Sequence, residues 1–201
     1  MFALVESGSI IKMLSGNQGI TIDGIQHPRA IYTLWTEAER NAIGIYTVEY
    51  DNSNKKNEKW YINTNQSYAF GSGKVTATYG TATAKAHADT LFTAQDETDG
   101  KGTEGEVATR GLKTKLIRKV KAQAANELAK TDWYVVRKSE ESTAIPSAIT
   151  THRRLVRSKA AAMETSITNA SDTPALETLY TYTTDSDGVH SRPLAEIPTL
   201  D

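Results

Sequence analysis

An α+β fold is predicted from three observations on the sequence. Thr36, Glu39 and Gly44 mark a short capped helix among segments that alternate apolar and polar residues. Leu112, Leu116, Val120, Ala124 and Leu128 recur every fourth residue, as one face of a helix does. Beyond Pro146, the residues Ile149, Val156, Ala160, Met163 and Ile167 make a second, near-heptad seam. The expected order begins with a small antiparallel β-rich N-terminal domain, carrying one short helix, over residues 1–90. A linker over 91–102 comes next, and then an α-helical hairpin domain that ends in a β-hairpin, over 103–201.

Taken in order, Phe2 and Leu4 lead through Glu6-Ser7-Gly8-Ser9 into Ile10-Ile11, a strand, a glycine turn and a second strand. Ile20-Thr21-Ile22 and Ile25-Gln26 flank Asp23-Gly24, a strong hairpin turn, before His27-Pro28 breaks the pattern. Thr36 is the expected N-cap of the short helix, with Glu39 completing a capping box, Trp35 packing back on the first turn and Gly44 ending it. Ile45 to Tyr50 alternates as a strand, whereas Asp51 to Asn57 is wholly polar and must be an exposed loop. Further strands are expected at Trp60-Tyr61-Ile62, Ser67 to Phe70 and Lys74 to Tyr79.

From Gly80 the texture turns to Thr/Ala repeats and then to the acidic, glycine-containing Gln95 to Gly102, which reads as the linker. In the second domain Thr131 is the expected N-cap of a helix of about two turns, with Asp132 in its first turn meeting the helix dipole. Trp133, Val136, Arg137 and Glu140 fall at helical spacing on it, and Trp133 is expected to be buried where two helices meet. Pro146 fits the first position of a longer helix beyond it. Asp172 can cap a last short helix with Leu176 and Leu179 facing inward. A final hairpin is expected around Asp185-Ser186-Asp187-Gly188, and Pro193 and Pro198 keep the tail extended.

Composition limits the chemistry. Without cysteine there are no disulfides, no thiolate catalysis and no Cys-ligated zinc. His27, His87, His152 and His190 lie far apart, and none has a second ligand at metal spacing on one helix. Gly71-Ser72-Gly73-Lys74 lacks the spacing and the downstream helix of a phosphate loop, and reads as a hairpin turn. Asp185 and Asp187 lack the distal glutamate of a calcium loop. No catalytic, cofactor-binding or metal-binding residue is therefore assigned. The longest apolar runs fall far short of a membrane span, and Met1 to Lys12 lacks the features of a secretory signal, so a soluble protein made in the cytoplasm is expected.

The formal net charge of −1 conceals segregation: residues 101–160 carry 14 basic against 6 acidic side chains, and residues 161–201 carry 1 against 7. The helices over 110–160, with Lys113 to Lys121, Arg153, Arg154, Arg157 and Lys159, offer a face that could meet phosphates. The segments that carry these cations, 113–121 and 153–159, hold none of the stacking aromatics usual in such sites, so a solvated face is the expected reading and nucleic acid is not the expected partner.

Two stretches resemble a known family. Trp35-Thr36, Glu39-Arg40 and Gly44-Ile45-Tyr46, with a polar loop and a strand with Val75 and Tyr79 after them, are similar to the N-terminal part of small tailed-bacteriophage proteins associated with tail fibres and virion structure. Thr131-Asp132-Trp133-Tyr134-Val135-Val136-Arg137, Glu140, Ile145-Pro146, Ile149, Arg153, Val156-Arg157, Met163-Glu164 and Ile167 resemble their C-terminal helical segment. The second is the more specific, being an ordered series. The resemblance implies a non-enzymatic virion structural protein of the phage tail that attaches or assembles receptor-binding fibres. The family also holds fibre-assembly chaperones, which do not stay in the particle. Other tail or fibre proteins are the implied partners, with a homo-oligomer or a symmetric assembly as the working state. A nucleic-acid-binding module using the basic 110–160 helices is the alternative from another class.

Overall fold

The computed structural model describes residues 1–64 and 66–200, and the chain divides into two compact units, Met1–Thr83 and Ala84–Asp201. Its class is α+β, with a β-rich first part, helices after it and a terminal β-hairpin.

In the first unit β1 (Phe2–Glu6) and β2 (Ser9–Leu14) form a hairpin, and β3 (Ile20–Ile22) and β4 (Ile25–His27) form a second. Asp23 and Gly24 turn the second at φ 49 and 77, the double left-handed conformation that Asp-Gly favours. Two short helices come next, α1 (Ile31–Leu34) and α2 (Glu37–Ala42), then β5 (Ile45–Asp51), β6 (Tyr61–Ile62), β7 (Ser67–Gly71) and β8 (Lys74–Thr78). α1 lies outside the sequence expectation of one helix, and its single turn buries Ile31 and Tyr32.

The main sheet has the order β2-β1-β5-β8-β7. All neighbours are antiparallel except β5 and β8, which run parallel with Val48 opposite Val75 and Tyr50 opposite Ala77. The strands' period-2 patterns do not encode that pairing, because the direction of a neighbour leaves the alternation unchanged. On one face Ala3, Val5, Val48, Val75 and Ala77 form a buried cluster with Ile10, Met13, Tyr46, Tyr68 and Phe70, so all five strands contribute. The outer strands β2 and β7 also touch, so the sheet curls around this cluster. On the other face Leu4, Leu14, Ile31, Tyr32 and Ile45 pack with Ile20, Ile22, Trp35 and Ile43. β1 is thus covered on both faces, which accounts for its unbroken apolar run Phe2-Ala3-Leu4-Val5.

The capping box of α2 is present. The Thr36 hydroxyl accepts from the Glu39 N–H at 3.3 Å, and the Glu39 carboxylate accepts from the Thr36 N–H at 2.7 Å. The Thr36 hydroxyl, which also donates to that carboxylate at 2.7 Å, and then the Thr36 N–H hold the Glu39 carboxyl below the usual carboxylate range. Thr36→Ala is expected to destabilise the first unit by about 1 kcal/mol in urea titrations, the usual worth of such a cap. Gly44, at φ 79, ends the turn and accepts from the Val5 N–H at 2.8 Å.

The second unit comprises β10 (Thr90–Leu91), α3 (Ala94–Thr98), β11 (Val107–Thr109), α4 (Leu112–Ala129), α5 (Asp132–Glu141), α6 (Ser147–Asn169), α7 (Thr173–Tyr180), β12 (Thr183–Thr184) and β13 (His190–Ser191), while β9 (Thr83–Ala84) lies at the division. Residues 91–102, expected to be a linker, are instead folded. β10 pairs with β11, and between them Thr93 and Asp96 make a second capping box that starts α3. The acidic composition suggested solvation, but a Thr-x-x-Asp pair supplies its own local structure. Bonds from the Thr93 backbone and hydroxyl, with Lys101, hold Asp96 down to about 2. The depressed value means that Asp96 supports this tip above its ordinary pKa of 3.8 and ceases to do so as pH falls towards about 2. Amide exchange at Thr93 and Asp96 is expected to accelerate across that window while exchange within α6 stays slow.

α4 and α6 form the predicted antiparallel pair. The Lys113 ammonium donates to the Thr168 carbonyl at 2.9 Å, Lys121 meets Glu164 at 3.4 Å, and Glu127 meets His152 at 3.1 Å, so residue numbers rise on one helix as they fall on the other. Leu116, Val120 and Ala124 are buried on α4, and Ile149, Val156, Ala160, Met163 and Ile167 on α6. Asp89 accepts from the Gly111 N–H and the Thr114 hydroxyl, fixing the start of α4. Asp172 caps α7 by accepting from the Ala175 N–H at 2.8 Å, and Leu176 is fully buried. Pro146 occupies the N-cap of α6, one residue before the first helical position expected for it. Among the described residues no helix is long and apolar enough to cross a membrane.

Candidate interaction surface

The site begins with a corner. α4 ends at Ala129, and α5 starts after only Lys130 and Thr131, so the last carbonyls of α4 need donors from elsewhere. Arg153 of α6 serves one of them: its Nη1 donates to the Leu128 carbonyl and to the Thr131 hydroxyl oxygen, both at 2.7 Å, and its Nη2 meets the Asp132 carboxylate at 2.8 Å. Arg153 is 8% exposed and Thr131 is fully buried. The Thr131 hydroxyl donates to the Leu128 carbonyl while its oxygen accepts from Arg153, and with ψ at 6 rather than extended it makes no capping bond to α5, contrary to expectation. Thr131, Asp132 and Arg153, widely spaced members of the ordered series in the sequence, are therefore one bonded cluster.

The corner holds α5 away from the core. None of its ten residues is buried. Trp133, expected to be buried, is 51% exposed, and Val136 is 52% exposed. Helical spacing identifies a face, but which way it points is decided by the corner, and here the apolar face turns to solvent. Trp133 and Tyr134 stack with ring centroids 3.8 Å apart, and the Arg137 guanidinium lies over them at 4.7 and 5.4 Å. Val135 and Val136 are exposed on the same helix. A tryptophan, a tyrosine and an arginine preorganised on a rigid exposed helix have the composition of a binding hot spot.

A second surface is cationic. Arg118 and Lys119 on α4, with Arg154, Arg157 and Lys159 on α6, are exposed and form no ion pair among the described residues. Arg110, Lys115 and Arg118 line an open cavity of about 590 Å³ beside the exposed β11.

Several of the remaining sequence candidates have structural partners. Ser72 and Gly73 form the tight turn between β7 and β8, and the Lys74 ammonium pairs with Glu49 at 2.7 Å. Asp185 accepts from the Asp187 and Val189 N–H groups, both at 2.9 Å, closing the last hairpin. His27 meets Trp35 edge-on at 5.7 Å, His152 bonds to Glu127, and His190 Nδ1 lies 2.9 Å from the Thr184 hydroxyl. Among the described residues no group of three or more His, Cys, Asp or Glu side chains is placed to hold a metal ion.

Glu127 is a residue that sequence reasoning missed. It comes three residues after Ala124 of the α4 stripe and is 6% exposed. Lys130 above all, then the Leu200 N–H, hold its carboxyl below the usual range. A carboxylate on a buried helical stripe was the available signal. No family model, no curated protein and no solved structure matches the chain.

Proposed function

We propose that the chain is a non-enzymatic bacteriophage tail protein, a structural component of the virion that attaches or assembles receptor-binding tail fibres. The observation that carries this reading is the exposed Trp133–Tyr134–Arg137 stack on α5, a helix that contributes no buried side chain. An apolar helix face held out by a buried arginine is suited to docking. The resemblance of residues 131–167 to tail-associated proteins supplies the biological setting. Other tail or fibre proteins are the partners in this reading, the working state is a homo-oligomer or a symmetric assembly, and the protein enters the virion after synthesis in the host cytoplasm.

The test combines stability and binding. Trp133→Ala is expected to leave thermal unfolding of the second unit within about 0.5 kcal/mol of the parent, as for an exposed residue. The same change should weaken capture of the cognate fibre protein at least about tenfold. Unchanged capture would overturn the docking role of α5. Mass spectrometry of purified virions separates the two roles within the reading, since a fibre-assembly chaperone is absent from the particle.

The unpaired cations of α4 and α6 favour a second reading, a nucleic-acid-binding module. Affinity for duplex DNA that falls steeply and log-linearly with salt would select it over the first.

A further inference from the structure

Residues 192–200 run on from the β12–β13 hairpin as an extended strap without regular secondary structure. Leu194 is its anchor: the side chain is 1% exposed and its N–H donates to the Leu179 carbonyl of α7 at 3.0 Å. At the far end the Leu200 N–H donates to Glu127 of α4 at 2.8 Å. Between these points the strap is loosely seated. Ile197 and Pro198 are half-buried, Thr199 and Leu200 are exposed, and a cavity of about 430 Å³ separates Glu196, Ile197 and Thr199 from Gln123, Glu127 and Met163.

Glu127 is the informative residue. It continues a stripe of Leu116, Val120 and Ala124, where burying a carboxylate is costly. Its Oε1 takes both the His152 ring at 3.1 Å and the strap N–H, while Oε2 takes Lys130 at 2.6 Å. A buried polar pair whose free lone pair receives a backbone N–H from a distant segment is a recognition element for extended chain. The segment leading to the strap, residues 181–191, is exposed throughout, tied to itself by the short β12–β13 ladder and to the strap by the Tyr182 hydroxyl on Glu196 and the Arg192 guanidinium over the Tyr182 ring at 5.0 Å. It can open without disturbing the core.

We propose that the groove running from α7 to Glu127 is a docking seat for an extended peptide segment, filled by residues 192–200 of the same copy in the isolated chain and by the same segment of a second copy on assembly. The second copy is the fitting occupant because its strap carries the identical leucine anchor and N–H donor, and exchange of an identical element adds no new chemistry.

The test uses the full chain. Leu194→Asp empties the seat, and a labelled peptide of residues 192–200 is expected to bind this variant saturably and one to one. Binding should be at least about tenfold weaker for a peptide carrying the same substitution, and at least about tenfold weaker for the parent chain, whose seat is already occupied. No saturable binding by the folded variant, or equal binding of both peptides, overturns the seat. If the variant does not fold, donor- and acceptor-labelled parent chains are mixed at high concentration instead. Dimers carrying both labels and dispersed by excess strap peptide are expected. Monomers alone, or mixed dimers insensitive to the peptide, overturn the second copy as occupant, even where the peptide itself binds.

Discussion

Arg153→Ala is expected to destabilise the second unit by about 3 kcal/mol, read by chemical denaturation monitored through helical circular dichroism. The guanidinium serves two acceptors that solvent reaches poorly, the Leu128 carbonyl at the end of α4 and the fully buried Thr131 hydroxyl. Hydrogen bonds to a charged donor are worth roughly 1.5–3 kcal/mol each; the Leu128 carbonyl keeps the Thr131 N–H and hydroxyl as donors, so the desolvation cost of a lost partner falls on the Thr131 oxygen. The ion pair with Asp132 contributes little, since that carboxylate is 59% exposed. Arg153→Lys should recover only part of the loss, because an ammonium lacks the fork that reaches two acceptors and a carboxylate together. A loss under about 1 kcal/mol would mean that water replaces the guanidinium, and the account of the corner would fail.

Gly44→Ala is expected to cost the first unit a similar amount, about 3 kcal/mol, through two separable effects. At φ 79 any side chain strains the backbone, and a Cβ there would lie 2.6 Å from the Val5 carbonyl oxygen. That oxygen cannot retreat easily, because Val5 belongs to the doubly covered β1 and its own N–H is bonded to Gly44. Gly24→Ala is the control. It has nearly the same φ, 77, with nothing within 4 Å of its Cβ, so it should show the strain alone, about 1 kcal/mol. Trp60, 3% exposed, is a fluorescent reporter of the unit, together with Trp35. Equal losses for the two variants would remove the close approach from the explanation.

How much of the fold was legible in the sequence depends on the range of the physics involved. The Thr36–Glu39 box, the Asp23-Gly24 turn and the Asp172 cap depend on neighbours within a few residues, and each lies where its chemistry put it. The α4 and α6 stripes survive because a helix must bury one side. The parallel partnership of β5 and β8 was not legible, since pairing direction leaves no mark on a strand's alternation. The folded tip around α3 was missed because composition outweighed the Thr93–Asp96 pair. Of the interaction surface, the residues of α5 were visible but their exposure was not. Arg153 reads as one more cation on a basic helix until the corner it ties is known, and only then does Trp133 turn outward.

The place of β1 within its sheet bears on the order in which the molecule can form. One neighbour, β2, comes immediately after it and can close as a hairpin, but the other, β5, opposes Phe2 with Thr47, far along the chain. β5 in turn must find β8 in parallel, a closure that no tight turn can make. The α4–α6 pair needs only one intervening short helix. Such differences in loop closure separate folding rates by orders of magnitude. Until β5 has been made and has paired, the second edge of β1 and its apolar run stay open to neighbouring nascent chains.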